Sequence, residues 1–528
     1  MFYRRKPNKS GTYSVEVVSK KNGKNVVIKR FGTSRDETVL RSLERSAQQW
    51  ISDQHGPKLP FSWEKDDIIS DFMSTLSNSQ VRVQGPELVY GSIYDKIGYN
   101  AIEEPMFRHL VVCRLFCPGS KLKTIDYLHR YLHVGVTRHN IYNFIDRLSP
   151  AEGCGIKHQV EQISYAQTQK VLKGKVGVVF YDMTTLYFEA SDEDELRICG
   201  FSKEGRHRNP QIFLGLLVAV GGNPIGYEIF EGNIHESKTL IPMVESLAAR
   251  FGFNHPIVIA DAGLLSKNNI DALDQAGYQY ILGARPKNDS ADVKERILSM
   301  RLRDGQVRSF IRRDRRRIVV SMSDARARND AKNRRDGLRR LERKLGAGRL
   351  TKNNINNRGY NKYLRMEGDV RISIDYERFE SDAAWDGIKA YVTNSKLPPK
   401  KIVANYHNLW FIERAFRMNK TDLRIRPIFH RLRNRIEGHI CICFTAYTIM
   451  LELERRLKAA NAPLSLNEAR ELTKSIYSIT YTLPETKEER TTLLQMTDEQ
   501  KLLVDIAQNS FGCLIQKNRN NKEGVSTF

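Results

Sequence analysis

Residues 176–191 read VGVVFYDMTTLYFEAS. β-Branched and aromatic residues occupy both alternating positions, the pattern of a strand covered on both faces of its sheet. Asp182 interrupts that run. A carboxylate at the end of such a strand costs several kcal/mol, roughly, unless something compensates it. No Lys or Arg stands beside it in sequence, so the partner is either a distant residue or a metal ion.

A second stretch repeats the anomaly. In HPIVIAD, residues 255–261, an apolar strand ends on Asp261, and Gly263 follows to permit a tight turn. Functional groups in open α/β sheets gather beyond the carboxyl ends of strands, which makes the two aspartates a candidate pair. The competing reading of each is a helix cap or a turn former. Between them, QIFLGLLVAV, GGNP and IGYEIFEGN read as a hairpin turning at 221–224. A helix is expected near 237–251 and another over 266–276, with YQYILGAR as a further parallel strand. Strand, helix and strand at this spacing predict a mixed α/β sheet with flanking helices.

The third acidic candidate lies in YHNLWFIERAFRMNK, residues 406–420. Read as one helix, it places Tyr406, Glu413 and Lys420 on one face, drifting about 20° per heptad. Leu409, Ile412 and Phe416 form an adjoining apolar stripe, with Glu413 at its edge. The competing reading is a surface helix carrying a Glu413–Arg417 pair, worth a few tenths of a kcal/mol, roughly.

The rest of the chain frames these residues. With 528 residues and 40% hydrophobic content it can build several cores, which excludes a disordered chain. A net charge of +24 calls for a polyanionic partner, most simply nucleic acid. The seven cysteines include no CxxC pair and read as buried thiols of a reducing compartment. The amino terminus lacks the apolar stretch of a signal peptide. The longest apolar run, 441–453, reads as too short for a membrane span, so a cytoplasmic protein is expected.

Residues 1–60 read as a hairpin–helix module, its helix at about 36–54 capped by Thr33 or Ser34. Residues 61–170 read as short helices with basic faces, a DNA-binding region in which Thr137 caps a helix-turn-helix-like segment. Residues 171–289 and 386–455 supply the two parts of the sheet domain. They are separated by a basic, partly β insertion at 290–385 that contains RISIDYERF as a strand, with Trp385 read as a core residue against the alternative of a base-stacking wedge. A helical tail is expected over 456–528. Ser202, Lys203, Arg206 and Arg208 lie in a loop suited to phosphate contacts.

Taken together, these blocks resemble bacterial insertion-sequence transposases of the DDE type. YDMTTLYFE, GFSKEGRHRNPQIFLGLLV, GYEIFEGNIHESKTL, IADAGLL, DGIKAYVTN and RPIFHRLRNRIEGHICI carry the resemblance over 170–290 and 385–455. That family's Y-x2-R-x3-E-x6-K signature is matched by Tyr406, Glu413 and Lys420. Leu409 stands at the Arg position, where Arg414 or Arg417 is a candidate substitute cation. The resemblance implies an RNase H-like core in which Asp182, Asp261 and Glu413 jointly bind two divalent cations, Mg²⁺ or Mn²⁺. It also implies DNA contacts from Tyr406, Arg417 and Lys420, strand cleavage followed by strand transfer, and a homodimer working on double-stranded terminal repeats and target DNA. A relative that holds DNA without cutting, and a nuclease of the same fold that never joins strands, are the competing classes.

Overall fold

Alternating residues at the amino terminus fold as three antiparallel strands, β1 (Phe2–Pro7), β2 (Tyr13–Lys21) and β3 (Lys24–Ser34), in that order. In the computed structural model the described residues are 1–21, 23–54, 62–148, 155–174, 176–200, 208–252, 255–351, 354–356, 359–367 and 371–509. Helix α1 (Glu37–Asp53) packs Leu40 and Ala47 against Val15 and Val17 of β2. Its cap is Asp36, not the expected Thr33 or Ser34. The Asp36 carboxylate accepts from Thr38 N at 2.7 Å, while Ser34 Oγ accepts from Asp36 N. These elements and α2 (Ser62–Thr75) belong to one compact unit, comprising Met1–Val81 and Ile479–Thr492.

The second unit begins at Arg82, just inside β4 (Val81–Val83). Its first layer is helical: α3 (Ser92–Ile97), α4 (Pro105–Phe116), α5 (Lys121–Leu132), α6 (Arg138–Leu148) and α7 (Ile156–Val171). Thr137 caps α6 as expected, its hydroxyl accepting from Asn140 N at 3.2 Å.

The large sheet follows. Its elements in chain order are β5 (Val178–Tyr187), β6 (Gln211–Ala219), β7 (Pro224–Glu231), α8 (Leu240–Phe251), β8 (Ile257–Ala260), α9 (Lys267–Gln275) and β9 (Tyr280–Gly283). After these come α10 (Ala291–Ser299), β10 (Val307–Ile311), β11 (Arg317–Met322), α11 (Asp324–Gly346), β12 (Leu364–Glu367), β13 (Arg371–Ile374), α12 (Tyr376–Ser381) and β14 (Ile388–Thr393). Eight strands join in the order β10-β11-β14-β9-β8-β5-β6-β7. Within it, β5 pairs antiparallel with β6 and parallel with β8, and β8 pairs parallel with β9. The segment β7-β6-β5-β8-β9 is therefore the expected RNase H-like arrangement, a three-stranded meander followed by two parallel strands. The strand expected over RISIDYERF covers only β13; Asp375 then caps α12 by accepting from Arg378 N at 2.9 Å.

Alternation along the strands divides the core in two. Val179 and Tyr181 of β5 and Val258 and Ala260 of β8 face α8 and α9. Phe180, Leu186 and Ile259 face the opposite way, into the larger core. That side is covered by α13 (Pro399–His407), α14 (Trp410–Arg417) and α15 (Arg433–Ala459). The run at 441–453 sits inside α15, whose 27 residues are long and apolar enough to cross a membrane, contrary to the shorter span read from sequence. Its most apolar window is 94% buried inside the fold, which identifies it as the central core helix.

The stretch expected as a helical tail contains α16 (Leu466–Thr473) and α17 (Asp498–Gln508). It also contains β15 (Tyr477–Thr482) and β16 (Glu489–Leu493), which form a sheet of order β16-β15-β4. Thr and Tyr alternate there without a strong apolar face, which is why the pairing was not legible locally.

Candidate active site

Asp182 lies within β5 rather than at its end. The reason is that β8 stops short: the parallel register runs from Val178↔Ile257 to Tyr181↔Ala260 and no further. Asp182 is thus the first β5 residue beyond that ladder, and Asp261 is the first residue beyond β8. The period-2 rule puts both on the face of Phe180 and Ile259. Asp182 Oδ1 accepts from Met183 N at 2.8 Å.

The third carboxylate comes from above that face. Phe411 of α14 meets Phe180 of β5 with ring centroids 5.9 Å apart, so α14 crosses the side from which Asp182 projects. Ile412, Ala415 and Phe416 of α14 are buried, leaving Glu413 exposed on the adjoining face. The single helix expected over 406–420 is interrupted. Tyr406 belongs to α13, and Asn408 and Leu409 form a turn with Ile412 N bonding to Leu409 O. Lys420 lies in a π-helical turn, Met418–Asp422.

Tyr406 is the residue that ties the pieces together. Its phenol donates to Asp261 Oδ1 at 2.9 Å. Burial first, then the neighbouring Asp261 carboxylate, pushes its hydroxyl far above the ordinary phenol range. The approach depends on Gly283 at the end of β9, where a Cβ would collide with the Tyr406 phenol oxygen.

One participant was missed in the sequence. Lys389 of β14 alternates with Tyr391 and so faces the same core. Its ammonium lies 5.6 Å from the centre of the Tyr406 ring. Burial and then Arg326 lower its pKa, while Asp261 and Glu413 act in the opposite direction. A lysine inside the apolar strand IKAYVT was the available signal, since a charge there needs a partner.

Arg414, a candidate to replace the cation missing at Leu409, is engaged by Glu454 of α15 in a salt bridge. Arg417 is exposed and Lys420 half-buried. Arg208 is exposed ahead of β6, whereas Ser202, Lys203 and Arg206 lie outside the described residues. Trp385 is partly buried against Val293, Phe310 and Ala390, in accord with a core role.

Among the described residues, no three His, Cys, Asp or Glu side chains are close enough together to hold a metal ion. Asp182 and Asp261 share a face of the sheet and Glu413 stands on the helix that crosses it, without the three converging on one point. Their chemistry still suits a hard divalent cation, because all the donors are carboxylate oxygens and Asp261 is already oriented by a phenol.

Comparison with known proteins follows from this geometry. A piggyBac transposase synaptic complex with hairpin DNA has a TM-score of 0.36 and 8% identity, covering 84% of this chain and 82% of that one. A Mos1 transposase paired-end complex with left transposon end has a TM-score of 0.15 and 10% identity, covering 45% and 71%. A search of curated proteins gave no match. The family model described as a transposase DDE domain matches residues 178–449, from the start of β5 into α15, more than half of the sequence. The span takes in Asp182, Asp261 and Glu413 together with the helices that cover them, and the chain belongs to the DDE-domain transposase family.

Proposed function

We propose that this transposase cuts DNA at the ends of a mobile element and joins the freed 3′ ends to target DNA. Asp182, Asp261 and Glu413 are the ligands for divalent cations, two Mg²⁺ or Mn²⁺ ions per site. The observation that supports the reading is a common neighbourhood: Asp182 and Asp261 lie on one face of the sheet, α14 crosses that face, and the Asp261 and Glu413 charges both act on Lys389. When bound, such ions supply Lewis acidity at a phosphate and stabilise the leaving oxygen.

The chain's own residues prepare the site. Tyr406 donates to Asp261 and fixes the direction of its carboxylate. Lys389 offsets part of the acidic charge in the free protein and can turn to an entering phosphate. Arg417 and Lys420 face the DNA backbone beyond Glu413. Arg208, with Ser202, Lys203 and Arg206, guides the same strand. In the first reaction water attacks the border phosphodiester, a P–O bond breaks and a 3′-hydroxyl leaves. In the second that hydroxyl attacks a target phosphodiester, so one bond is exchanged for another and no external energy source is consumed. Two copies act on paired double-stranded ends, in the cytoplasm and on nucleoid DNA.

The test uses labelled duplexes from the borders of the encoding locus, with Mg²⁺ or Mn²⁺. Nicking at one fixed border position is expected, abolished by EDTA and by Glu413→Gln. Binding without cutting in the wild-type protein under both metals would overturn the assignment.

A further inference from the structure

A cavity of about 440 Å³ lies away from the acidic face, between the α4–α5 turn, α6, α15 and the segment that follows Lys420. Its volume is that of a small-ligand site. Its walls carry Arg114, Lys121, Arg424, Arg426, His430 and His439, and no carboxylate. Four of these are buried: Arg114 is 6% exposed, Lys121 7%, His430 7% and His439 5%. Burial holds the His430 and His439 rings neutral, so the positive groups here are Arg114 and Lys121; buried cations without an acid are costly, and proteins normally pair them. The acid that His430 feels, Asp146, is already held by Arg435 through bonds of 2.6 and 2.7 Å and by Asn434.

His439 Nε2 donates to the Ile425 carbonyl at 2.9 Å, which leaves its buried, unpartnered Nδ1 an acceptor and gives the ring a wall-forming role rather than a donor's. The first turn of the twelve-residue helix α5 lines the cavity, adding peptide N–H groups that favour anions. Arg424, with φ of 48°, is exposed on the wall.

We propose that this cavity is a phosphate-binding pocket that takes a phosphate group of a nucleic acid, gripped by Arg114, Lys121 and Arg424, with His439 closing its inner wall. The position suits DNA held by the acidic site. Ile428 N bonds to Tyr187 O at the far end of β5, so the wall of the pocket is anchored to the strand that carries Asp182. From Asp182 to Tyr187 is roughly 17 Å at about 3.3 Å per residue, close to the rise of about five base pairs. This step rests on the transposase reading only for the source of the phosphate.

Burial, then Arg114, pushes Lys121 down to about 7. The other titratable groups facing it are Cys113 on α4, Cys443 and His439 on α15, and His430. An anion raises the Lys121 pKa again, so binding takes up a proton above pH 7. Affinity is therefore expected to fall as pH rises from 7 to 9.

The test uses the full chain with inorganic phosphate, and separately with border DNA. Thermal unfolding is followed in phosphate and in chloride at equal ionic strength, for wild type, Lys121→Met and Arg424→Asn. Asn tolerates the left-handed backbone at position 424, so this wall variant keeps the test valid if Lys121→Met fails to fold. Comparison between variants removes the general effect of excluded anions.

A phosphate-specific rise in Tm, lost in the variants and weakening toward pH 9, is expected. If the phosphate belongs to DNA, each variant also lowers the salt-dependence slope of DNA binding by about one. A Tm effect with unchanged DNA binding assigns the pocket to free phosphate or a nucleotide. No Tm effect and no change in slope overturns the pocket. Glu413→Gln should leave the Tm effect intact, so failure of the cutting assignment and failure of the pocket are read separately.

Discussion

Tyr406 comes first because its single hydroxyl bridges an aromatic core and the Asp261 carboxylate. Its ring packs at a tilt against Tyr391, centroids 4.7 Å apart, and its oxygen reaches Asp261. Tyr406→Phe keeps the ring and removes only the donor. A hydrogen bond to a charged group contributes about 1.5–3 kcal/mol, which is a fall of roughly 10- to 100-fold in rate if the bond matters only in the transition state. Border nicking is expected to drop by that amount while DNA affinity and the thermal midpoint stay near wild type; a variant that cuts at full rate would remove Tyr406 from the machinery. Sequence reasoning singled out Tyr406, Glu413 and Asp261, and the structure joins Tyr406 to Asp261 and puts Glu413 on the helix that follows Tyr406. It could not see that the Tyr406 phenol serves Asp261, because that bond spans a separation of 145 residues. Lys389 escaped for the same reason: its partners are carboxylates on other elements.

At the scale of elements, the strands were the most legible and the Glu-bearing helix the least. Fully apolar runs marked β5, β6 and β8, since a strand buried on both faces has no polar alternation to confuse it. Where each strand stops was not legible, and that detail sets the site: β8 ends one residue early enough to leave Asp182 uncovered. The seven-residue spacing of Tyr406 and Glu413 suggested one straight helix, but a turn at Asn408–Leu409 divides it. Gly283 at the end of β9 makes room for α13. Gly283→Ala pushes a methyl group into the Tyr406 phenol. Overpacking of this kind costs about 1–3 kcal/mol, so a lower denaturation midpoint is expected together with loss of cutting. Combining it with Tyr406→Phe, which removes the colliding oxygen, should recover part of the stability; equal midpoints for the single and double variants would show that the collision is relieved elsewhere.

Over the whole molecule the governing quantity is charge. The excess of +24 was legible at once and remains the broadest argument for a polyanion. A dense part of it sits on α11, where Arg328, Lys332, Arg335, Arg339, Arg340, Arg343 and Lys344 are exposed. Arg334 is different: it is tied to Asp386 at 2.7 Å and serves structure. Replacing Arg335, Arg340 and Arg343 together by Gln should weaken binding to border DNA and to unrelated DNA alike, and reduce the salt slope by about two to three. An unchanged slope would assign α11 to solubility alone.

The insertion is also part of the large sheet. β14, made after the insertion, pairs with β9, made before it, and β11 pairs with β14 in turn. Synthesis therefore imposes an order in time. A chain emerging from the ribosome at roughly 5–20 residues per second exposes Asp182 and Asp261 long before β14 can cover the edge of β9 or α14 can bring Glu413. The set of three carboxylates is completed only when synthesis has passed Glu413, so the growing chain carries much positive charge before it holds all three.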